Sequence, residues 1–323
     1  MAFTKIDDLI DSKKIRTIGI AGHIRPDADC ICSSLALWQY LTKCWPQVRT
    51  DVFLEEIPSI YSFIKGSDQV HTDYVTDVAE YDLFIAVDTD KSRTGRAEAL
   101  FDAARFTVNI DHHVSNHGTG DENYLDADAS SCSELIYELI EHEHIDRGIA
   151  ETLYCGIIGD TGVFKYNCTS PKTMRIGADL ISYGFDFNDL IDRTFYRKTY
   201  VQNQLLGRVL MESTLFLGGK CILGMVSRKT MEFYHATTSD LEGIVSQLML
   251  TSGVVCAIFL HETGSLEYKA SLRSNGMVDV SKIAEIFGGG GHVRAAGCTM
   301  NGTSHDCINN LSKYIAEQIH GIG

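Results

Sequence analysis

Short apolar runs alternate with longer segments of helical periodicity through the first half of the chain. Such alternation is typical of parallel βαβ units, in which helices cover both faces of one sheet. The apolar runs predict buried strands over residues 17–21, 52–54, 83–87 and 107–110. The helical pattern predicts helices over residues 33–42, 97–104, 134–142 and 149–158. We therefore expect an α/β fold whose first domain is a parallel sheet with flanking helices.

Beyond residue 210 the pattern changes to one typical of a smaller α+β domain. A hairpin is predicted over residues 215–226, with its turn at Gly218 and Gly219. The remaining predicted elements are strands over 254–261 and 266–272, helices over 240–249, 280–287 and 307–319, and a glycine run at 288–291. We assign residues 1–195 to the first domain, 196–206 to a linker and 207–323 to the second domain.

Length and charge narrow the class of protein. A chain of 323 residues exceeds what one hydrophobic core usually serves, which agrees with two domains. It carries 43 acidic and 28 basic residues, for a net charge of −15. Such a surface repels long duplex nucleic acid but is compatible with a small phosphorylated substrate or a divalent cation.

Targeting signals and cysteine spacing set the expected compartment. No apolar run approaches the roughly 20 residues of a membrane helix, and the first residues do not resemble a signal peptide. The 10 cysteines form no paired C-x-x-C elements, which argues against structural zinc and favours reduced, mostly buried thiols. We expect a cytoplasmic protein with no membrane partner.

Four clusters of imidazole and carboxylate side chains follow predicted strand or helix ends. They are His23, Asp27 and Asp29 after the first strand, Asp88 after the third, Asp111, His112 and His113 after the fourth, and Asp160 at the end of a helix. Ligands of open parallel sheets bind beyond the carboxyl ends of the strands, so these clusters are expected to converge. Carboxylates that close would repel one another without cations.

The ligand types suggest which ion such a site would hold. Imidazole and carboxylate without thiolate fit Mn²⁺, with Mg²⁺, Co²⁺ or Fe²⁺ as substitutes. The number of side chains suggests two ions, because a single ion does not need six of them. Two ions about 3.5–4 Å apart can clamp both the attacking and the leaving oxygen of a phosphoryl displacement. The sequence therefore predicts hydrolysis of a phosphate ester or phosphodiester.

These clusters, together with a later glycine-rich element, resemble the motifs of the DHH phosphoesterase superfamily. The first motif is His23-x-x-Pro26-Asp27-x-Asp29, and the element that runs from Gly288 through His292 to Gly297 is similar to the signature of the DHHA1 domain. The motifs follow the family order and span residues 23 to 297. Size and arrangement are most similar to the members that degrade short oligoribonucleotides and 3′-phosphoadenosine-5′-phosphate (pAp).

The resemblance implies a role for each clustered residue. One ion would be held by His23, Asp27 and Asp88, and the other by Asp29, Asp88, His112 and Asp160. Asp88 would therefore bridge the two ions, with a metal-bound hydroxide as the nucleophile. His113 would stabilise or protonate an oxygen of the scissile phosphate, and Asp111 would orient a ligating imidazole.

The same resemblance places substrate binding in the second domain, with the active site in the cleft between the domains. The residues expected to bind the terminal phosphate or nucleotide are Arg273, Ser274, Gly290, Gly291, His292 and Arg294. Successive glycines let backbone N–H groups approach a phosphate, and an arginine can bind it bidentately. The alternative for this run is a flexible glycine hinge without a ligand.

The expected enzyme is a Mn²⁺-dependent phosphoesterase that acts on short single-stranded RNA, linear dinucleotides or pAp. Alternatives left open are a cyclic-dinucleotide phosphodiesterase and a catalytically silent nucleotide-binding protein, although no metal ligand is missing. The glycine-rich element argues against a type II inorganic pyrophosphatase, and the chain is smaller and less basic than a processive exonuclease of this superfamily.

Ala28 and Cys32 stand where the family usually has glycine. A homodimer is compatible with the sequence.

Overall fold

A five-stranded sheet organises the first half of the computed structural model, which describes residues 5–321. Its strands are β1 (Thr17–Ala21), β2 (Arg49–Phe53), β3 (Leu83–Val87), β4 (Thr107–Asp111) and β5 (Glu122–Leu125). They lie in the order β2-β1-β3-β4-β5, and every pairing is parallel. The expectation of a parallel-sheet α/β domain is confirmed.

Helices bury both faces of this sheet. They are α1 (Ile6–Lys13), α2 (Ala28–Cys44), α3 (Glu98–Ala103), α4 (Cys132–Leu139), α5 (Arg147–Thr161), α6 (Pro171–Ile181) and α7 (Phe187–Ile191). Ile85 and Val87 of β3 join the larger core cluster with α2, α4 and α5, whereas Phe84 and Ala86 join a smaller cluster on the opposite face. Burial on both faces explains why the strand reads as an unbroken apolar run.

Two differences from the sequence-based elements affect the candidate site. Helix α2 begins at Ala28 rather than at residue 33, because the Asp27 side chain accepts a hydrogen bond from the Cys30 N–H and caps the helix. Asp29 therefore lies in the first helical turn rather than in a loop. Helix α5 continues through Thr161, so Asp160 lies in its last turn, before Gly162 ends the helix with a left-handed φ of 55°.

The second half forms a six-stranded sheet with its own helices. The strands are β6 (Thr214–Phe216), β7 (Cys221–Val226), β8 (Cys256–Gly264), β9 (Glu267–Ser274), β10 (Gly290–His292) and β11 (Ala295–Asn301). The helices are α8 (Tyr200–Glu212), α9 (Arg228–Phe233), α10 (Ile244–Met249), α11 (Val280–Ile286) and α12 (Ser304–His320). The sheet order is β10-β11-β9-β8-β7-β6, antiparallel except for the parallel pair β7–β8.

The chain divides into two compact units, Met1–Arg197 and Lys198–Gly323. Helix α8 begins the second unit within the stretch 196–206 that the sequence assigned to a linker. The helix expected over 240–249 is interrupted at Gly243, which has a φ of 81°. The glycine run expected as a loop contains the edge strand β10. Among residues 5–321, no helix is long and apolar enough to cross a membrane.

Candidate metal centre

Asp88 occupies the centre of the candidate site. It follows β3, its side chain is buried, and its N–H donates to the Ile110 carbonyl oxygen at 2.9 Å, which continues the ladder to β4. Its φ of 60° is left-handed, which is uncommon for a residue other than glycine and is concentrated at functional sites. This conformation turns the chain at the carboxyl edge of the sheet, with the carboxylate among three imidazoles.

His23 faces Asp88 from the end of β1. Its Nδ1 lies 2.9 Å from the Ile24 carbonyl oxygen, and because only a ring N–H can donate to a carbonyl, we assign the proton to Nδ1. Its Nε2 lies 3.6 Å from Asp88 Oδ2 and 3.7 Å from Asp27 Oδ1. Burial lowers the pKa of His23, but the two carboxylates outweigh it, and the pKa is raised well above its usual value. The geometry presents Nε2 toward two carboxylates.

Asp29 is fully buried and is held by the start of another helix. Its Oδ2 accepts from the Cys132 N–H at 2.5 Å, and its Oδ1 accepts from the Ser133 N–H at 2.9 Å. Both donors belong to the first turn of α4, where unpaired N–H groups favour a negative charge. Even so, burial and the charges of Asp88 and Asp160 raise the pKa of Asp29.

His112 and Asp160 complete the cluster. His112 Nε2 lies 3.4 Å from Asp88 Oδ1 and 3.2 Å from Asp160 Oδ2. Burial lowers the pKa of His112, but the nearby carboxylates of Asp160 and Asp88 outweigh it and raise the pKa to about 11. The pKa of Asp160 is raised, mainly by burial. Both side chains therefore depend on a counter-charge inside the cluster.

Two buried atoms test whether this cluster fits a cation. Asp88 Oδ1 and His112 Nε2 make no well-aligned hydrogen bond among the described residues, although they lie 3.4 Å apart and Asp160 Oδ2 lies 3.2 Å from His112 Nε2. Buried polar atoms are rarely left unpaired, and an unpaired one points to an absent ligand. A divalent cation accepts electron pairs from both atoms and reduces the repulsion among the carboxylates. The donor set of imidazole and carboxylate therefore fits a metal ion.

Potential ligand atoms converge in three overlapping groups, each within 4.8 Å: Asp88, Asp111, His112 and His113; His23, Cys30 and Asp88; and Asp29, His112 and Asp160. Asp88 and His112 each belong to two groups, so the groups form one continuous centre. All six residues expected as metal ligands lie in this centre or contact it, Asp27 through His23.

Asp111 holds His113 rather than the imidazole of His112. Its Oδ1 lies 2.7 Å from His113 Nδ1 and accepts from the His112 backbone N–H at 2.8 Å. Its Oδ2 accepts from the Asn116 side chain at 2.6 Å. Burial raises the pKa of Asp111, but these donors outweigh it and lower the pKa. Hydrogen bonding to Asp111 raises the pKa of His113, whose side chain is 40% exposed. Asp111 was expected to orient an imidazole that binds metal. In the structure it instead orients His113, which is not one of the expected metal ligands.

Sequence reasoning missed two residues at this centre. The Cys30 thiol lies with His23 and Asp88 and accepts from the His23 N–H at 3.2 Å. Burial raises the pKa of Cys30 to about 12, so the thiol stays protonated and is a weak ligand. Asn116 was also missed, because an asparagine in a polar loop carries no signal in one sequence. Cys32 is as fully buried in the core as Cys30, but it belongs to none of the three groups of ligand atoms.

In the second unit, the strands bring two of the expected substrate-binding residues, Arg273 and His292, into one row of the sheet. Arg273 pairs with Ala295, which pairs with His292, so all three occupy one row across β9, β11 and β10. His292 and Arg294 are exposed. The Ser274 hydroxyl accepts from the N–H groups of Gly276 and Val278 and is buried in that turn.

The glycine run is shaped by its own sheet. A Cβ on Gly289 would clash with the Gly297 carbonyl oxygen, and one on Gly291, whose φ is 147°, would clash with the Ala295 carbonyl oxygen. A Cβ on Gly290 would meet nothing within 4 Å. Close approach between β10 and β11 therefore requires Gly289 and Gly291, whereas Gly290 faces open space.

Comparison with protein families matches two models in sequence order. The N-terminal domain model of the DHH family matches residues 17–157, and the DHHA1 domain model matches residues 226–321. The chain is 31% identical over 291 residues to the probable bifunctional oligoribonuclease and PAP phosphatase NrnA of Streptococcus mutans, and the match covers 88% of this chain and 90% of the relative. The chain belongs to the DHH family. It is therefore a phosphoesterase hydrolase.

Two further matches agree with membership in the DHH family. The bifunctional oligoribonuclease and PAP phosphatase NrnA of Bacillus subtilis is 30% identical over 289 residues, which cover 88% of this chain and 89% of the relative. The crystal structure of an exopolyphosphatase-related protein from Bacteroides fragilis superposes with a TM-score of 0.84 at 25% identity, covering 98% of this chain and 97% of that one. The resemblance of the sequence to DHH and DHHA1 proteins is thus confirmed.

Proposed function

We propose that this DHH protein uses two Mn²⁺ ions to hydrolyse phosphate esters of short oligoribonucleotides, linear dinucleotides and pAp. The observation that carries the proposal is the pair of buried atoms without a hydrogen bond, Asp88 Oδ1 and His112 Nε2, inside a cluster of four carboxylates: Asp29, Asp88, Asp111 and Asp160. The substrate class is supported by the names of the two relatives, which describe an oligoribonuclease and PAP phosphatase.

The proposed cation ligands are His23, Asp27, Asp29, Asp88, His112 and Asp160. Asp88 would serve both ions because its two carboxylate oxygens face different imidazoles, His23 and His112. When bound, such cations supply Lewis-acid activation of water and neutralise phosphate charge. Imidazole and carboxylate ligands together suit Mn²⁺, and Mg²⁺, Co²⁺ or Fe²⁺ are substitutes.

The remaining residues bind and orient the substrate in this proposal. Asp111 anchors His113 through Nδ1, which leaves Nε2 of a half-exposed imidazole to donate a proton to an oxygen of the scissile phosphate. Arg273 and His292, which share one row of the second sheet, would bind the terminal phosphate, with Gly290, Gly291 and Arg294 beside them. Ser274 would act by shaping the turn after Arg273, since its hydroxyl accepts from two backbone N–H groups there.

The test is a comparison of initial rates on pAp, a linear dinucleotide, a five-nucleotide RNA, a cyclic dinucleotide and pyrophosphate, each with Mn²⁺. We expect turnover of the first three and none after a strong chelator is added. Preferred hydrolysis of the cyclic dinucleotide or of pyrophosphate would contradict the substrate assignment. Hydrolysis that survives the chelator would contradict the role of the metal.

A further inference from the structure

One face of the second sheet is covered over only part of its width. On β7 and β8 this face carries Ile222 and Phe259, which pack with Leu205 of α8 and Leu248 of α10. Directly paired residues point to the same side of a sheet, so the face continues across β9 and β11. There it carries Lys269, Ser271, Arg273, Gly297 and Thr299, all exposed or half-buried.

Two rows of side chains cross this open part. The first row contains Arg273 and His292, the pair proposed to bind the terminal phosphate. The second row pairs Lys269 with His261 of β8. The row between them contains Ser271 paired with Gly297. These small residues leave a depression in the sheet surface between the two rows. Each of the two rows thus contains one basic residue and one histidine. The basic residues, Arg273 and Lys269, are four positions apart along β9, which separates the rows by about 13 Å.

A cavity of about 380 Å³ lies over the second row. Its lining includes Lys269, Ser271, Arg273, His261 and Glu242. The ammonium group of Lys198 lies beside it, 3.5 Å from where a Cβ on the lining residue Gly243 would stand. Among the described residues, neither Lys269 nor Arg273 has a carboxylate within 4.0 Å. Three cationic side chains, those of Lys198, Lys269 and Arg273, therefore lie in or beside the cavity. The lining contains a single carboxylate, that of Glu242, although the protein carries a net charge of −15.

His261 supplies a second, independent observation at this cavity. Its side chain is only 7% exposed, and its Nε2 has no hydrogen-bond partner among residues 5–321. Burial and the neighbouring charge of Lys269 lower the pKa of His261, which keeps the imidazole neutral at neutral pH. A buried polar atom without a partner, facing a polar cavity, points to a ligand that is absent.

We propose that this cavity is a second phosphate subsite, in which Lys269, Ser271 and the unpaired nitrogen of His261 bind a phosphate of an oligonucleotide beyond the one bound by Arg273. The inference rests on the proposed function and extends it to substrate length. Charges along a stacked strand recur about every 3.4 Å, and further apart when the strand is extended, so the rows are separated by roughly two to four nucleotides. The small pAp molecule cannot fill both rows.

The test compares kcat/KM on a five-nucleotide RNA with kcat/KM on pAp. For Lys269→Ala we expect the ratio of RNA to pAp to fall about fivefold, because one charge-assisted contact is lost at an exposed position. Lys269→Arg keeps the charge and should restore most of the ratio. Lys313→Ala is the matched control, since it removes the same charge from α12, which packs on the opposite face of the sheet. An unchanged ratio in Lys269→Ala, or a fall of equal size in the control, overturns the subsite.

A binding measurement separates this inference from the proposed function. Fluorescence anisotropy of a labelled five-nucleotide RNA, in chelator so that no hydrolysis occurs, gives the salt dependence of affinity. The slope of log K against log salt should be smaller by about 0.7 in Lys269→Ala, as expected for one lost phosphate contact on a single strand. If the natural sequence hydrolyses neither substrate, the proposed function fails. The change in the salt-dependence slope then tests the phosphate subsite independently of hydrolysis. Equal slopes refute it.

Discussion

Substitution of Asp88 by asparagine tests the role of this residue in metal binding without changing the shape of its side chain. The amide keeps the shape of the side chain but removes the charge that faces His23 at 3.6 Å and His112 at 3.4 Å. Asp88 belongs to two of the three groups of converging ligand atoms, so its loss affects the whole centre. We expect Asp88→Asn to fold and to lose most of its stabilisation by Mn²⁺.

The magnitude follows from mass action. At a Mn²⁺ concentration about 100 times its Kd, a ligand that binds only the folded state stabilises it by about 2.7 kcal/mol. In a unit of this size each kcal/mol raises Tm by about 2–4 °C, which predicts a rise of about 5–11 °C. Loss of a residue that merely supports a ligand lowers metal affinity by about 10- to 100-fold, and loss of the shared ligand itself reaches at least the upper figure. A 100-fold weaker site retains about 0.4 kcal/mol, or about 1–2 °C.

Thermal unfolding with and without MnCl₂, after exhaustive chelation, measures both values. Asp128→Asn is the matched control, because Asp128 is exposed and lies outside all three groups of converging ligand atoms. The Asp128→Asn protein should show the full Mn²⁺-dependent rise in Tm. An Asp88→Asn protein that is stabilised by Mn²⁺ as much as the natural sequence would refute the shared-ligand assignment. Circular dichroism at 20 °C checks that the variant is folded.

Three other expected outcomes follow from the same geometry. Asp111→Asn should lower kcat by about 10- to 100-fold through loss of the orientation of His113 while the Mn²⁺-dependent rise in Tm persists, because neither residue is a proposed ligand. Arg273→Ala should raise KM for pAp more than it lowers kcat, if its contact is the same in the ground and transition states. Mn²⁺ binding at pH 7 should release protons, since raised pKa values keep His23 and His112 protonated in the metal-free protein and a ligating imidazole must be neutral. Calorimetry in buffers of different ionisation enthalpy counts those protons, and affinity should rise with pH.

The carboxyl edge of the first sheet was predictable from sequence because its strands are buried on both faces. Such strands read as unbroken apolar runs, and the residue that follows each run marks the edge. His23 and Asp88 lie just beyond β1 and β3, whereas β4 extends one residue past the predicted run and ends at Asp111 itself. The edge strand β5, with the sequence ENYL, has no such run and was missed. Two strands around the glycine run were missed for a related reason, since glycines signal a turn unless a close neighbour strand is known.

The contacts that hold Asp29 and Asp111 could not be predicted, because one joins distant parts of the chain and the other depends on side-chain rotamers. Asp29 bonds to the N–H groups of Cys132 and Ser133, more than 100 residues away. Asp111 was assigned to orient a ligating imidazole, and the structure gives it His113 through a contact two residues away. Spacing in the sequence identifies the residue types at an edge, but side-chain rotamers decide which groups meet.

Packing around Asp29 explains how the centre tolerates a fully buried carboxylate. Helix α5 passes so close that a Cβ on Gly156 would lie 2.9 Å from Asp29 Oδ1 and would clash with the Ser133 hydroxyl. Glycine inside a helix costs about 1 kcal/mol relative to alanine, so this approach must be offset elsewhere. The first turn of α4 supplies two N–H donors to the carboxylate, yet the pKa of Asp29 remains raised because Asp88 and Asp160 repel it. The helix end alone therefore does not balance the charge, and a cation among these carboxylates completes the balance.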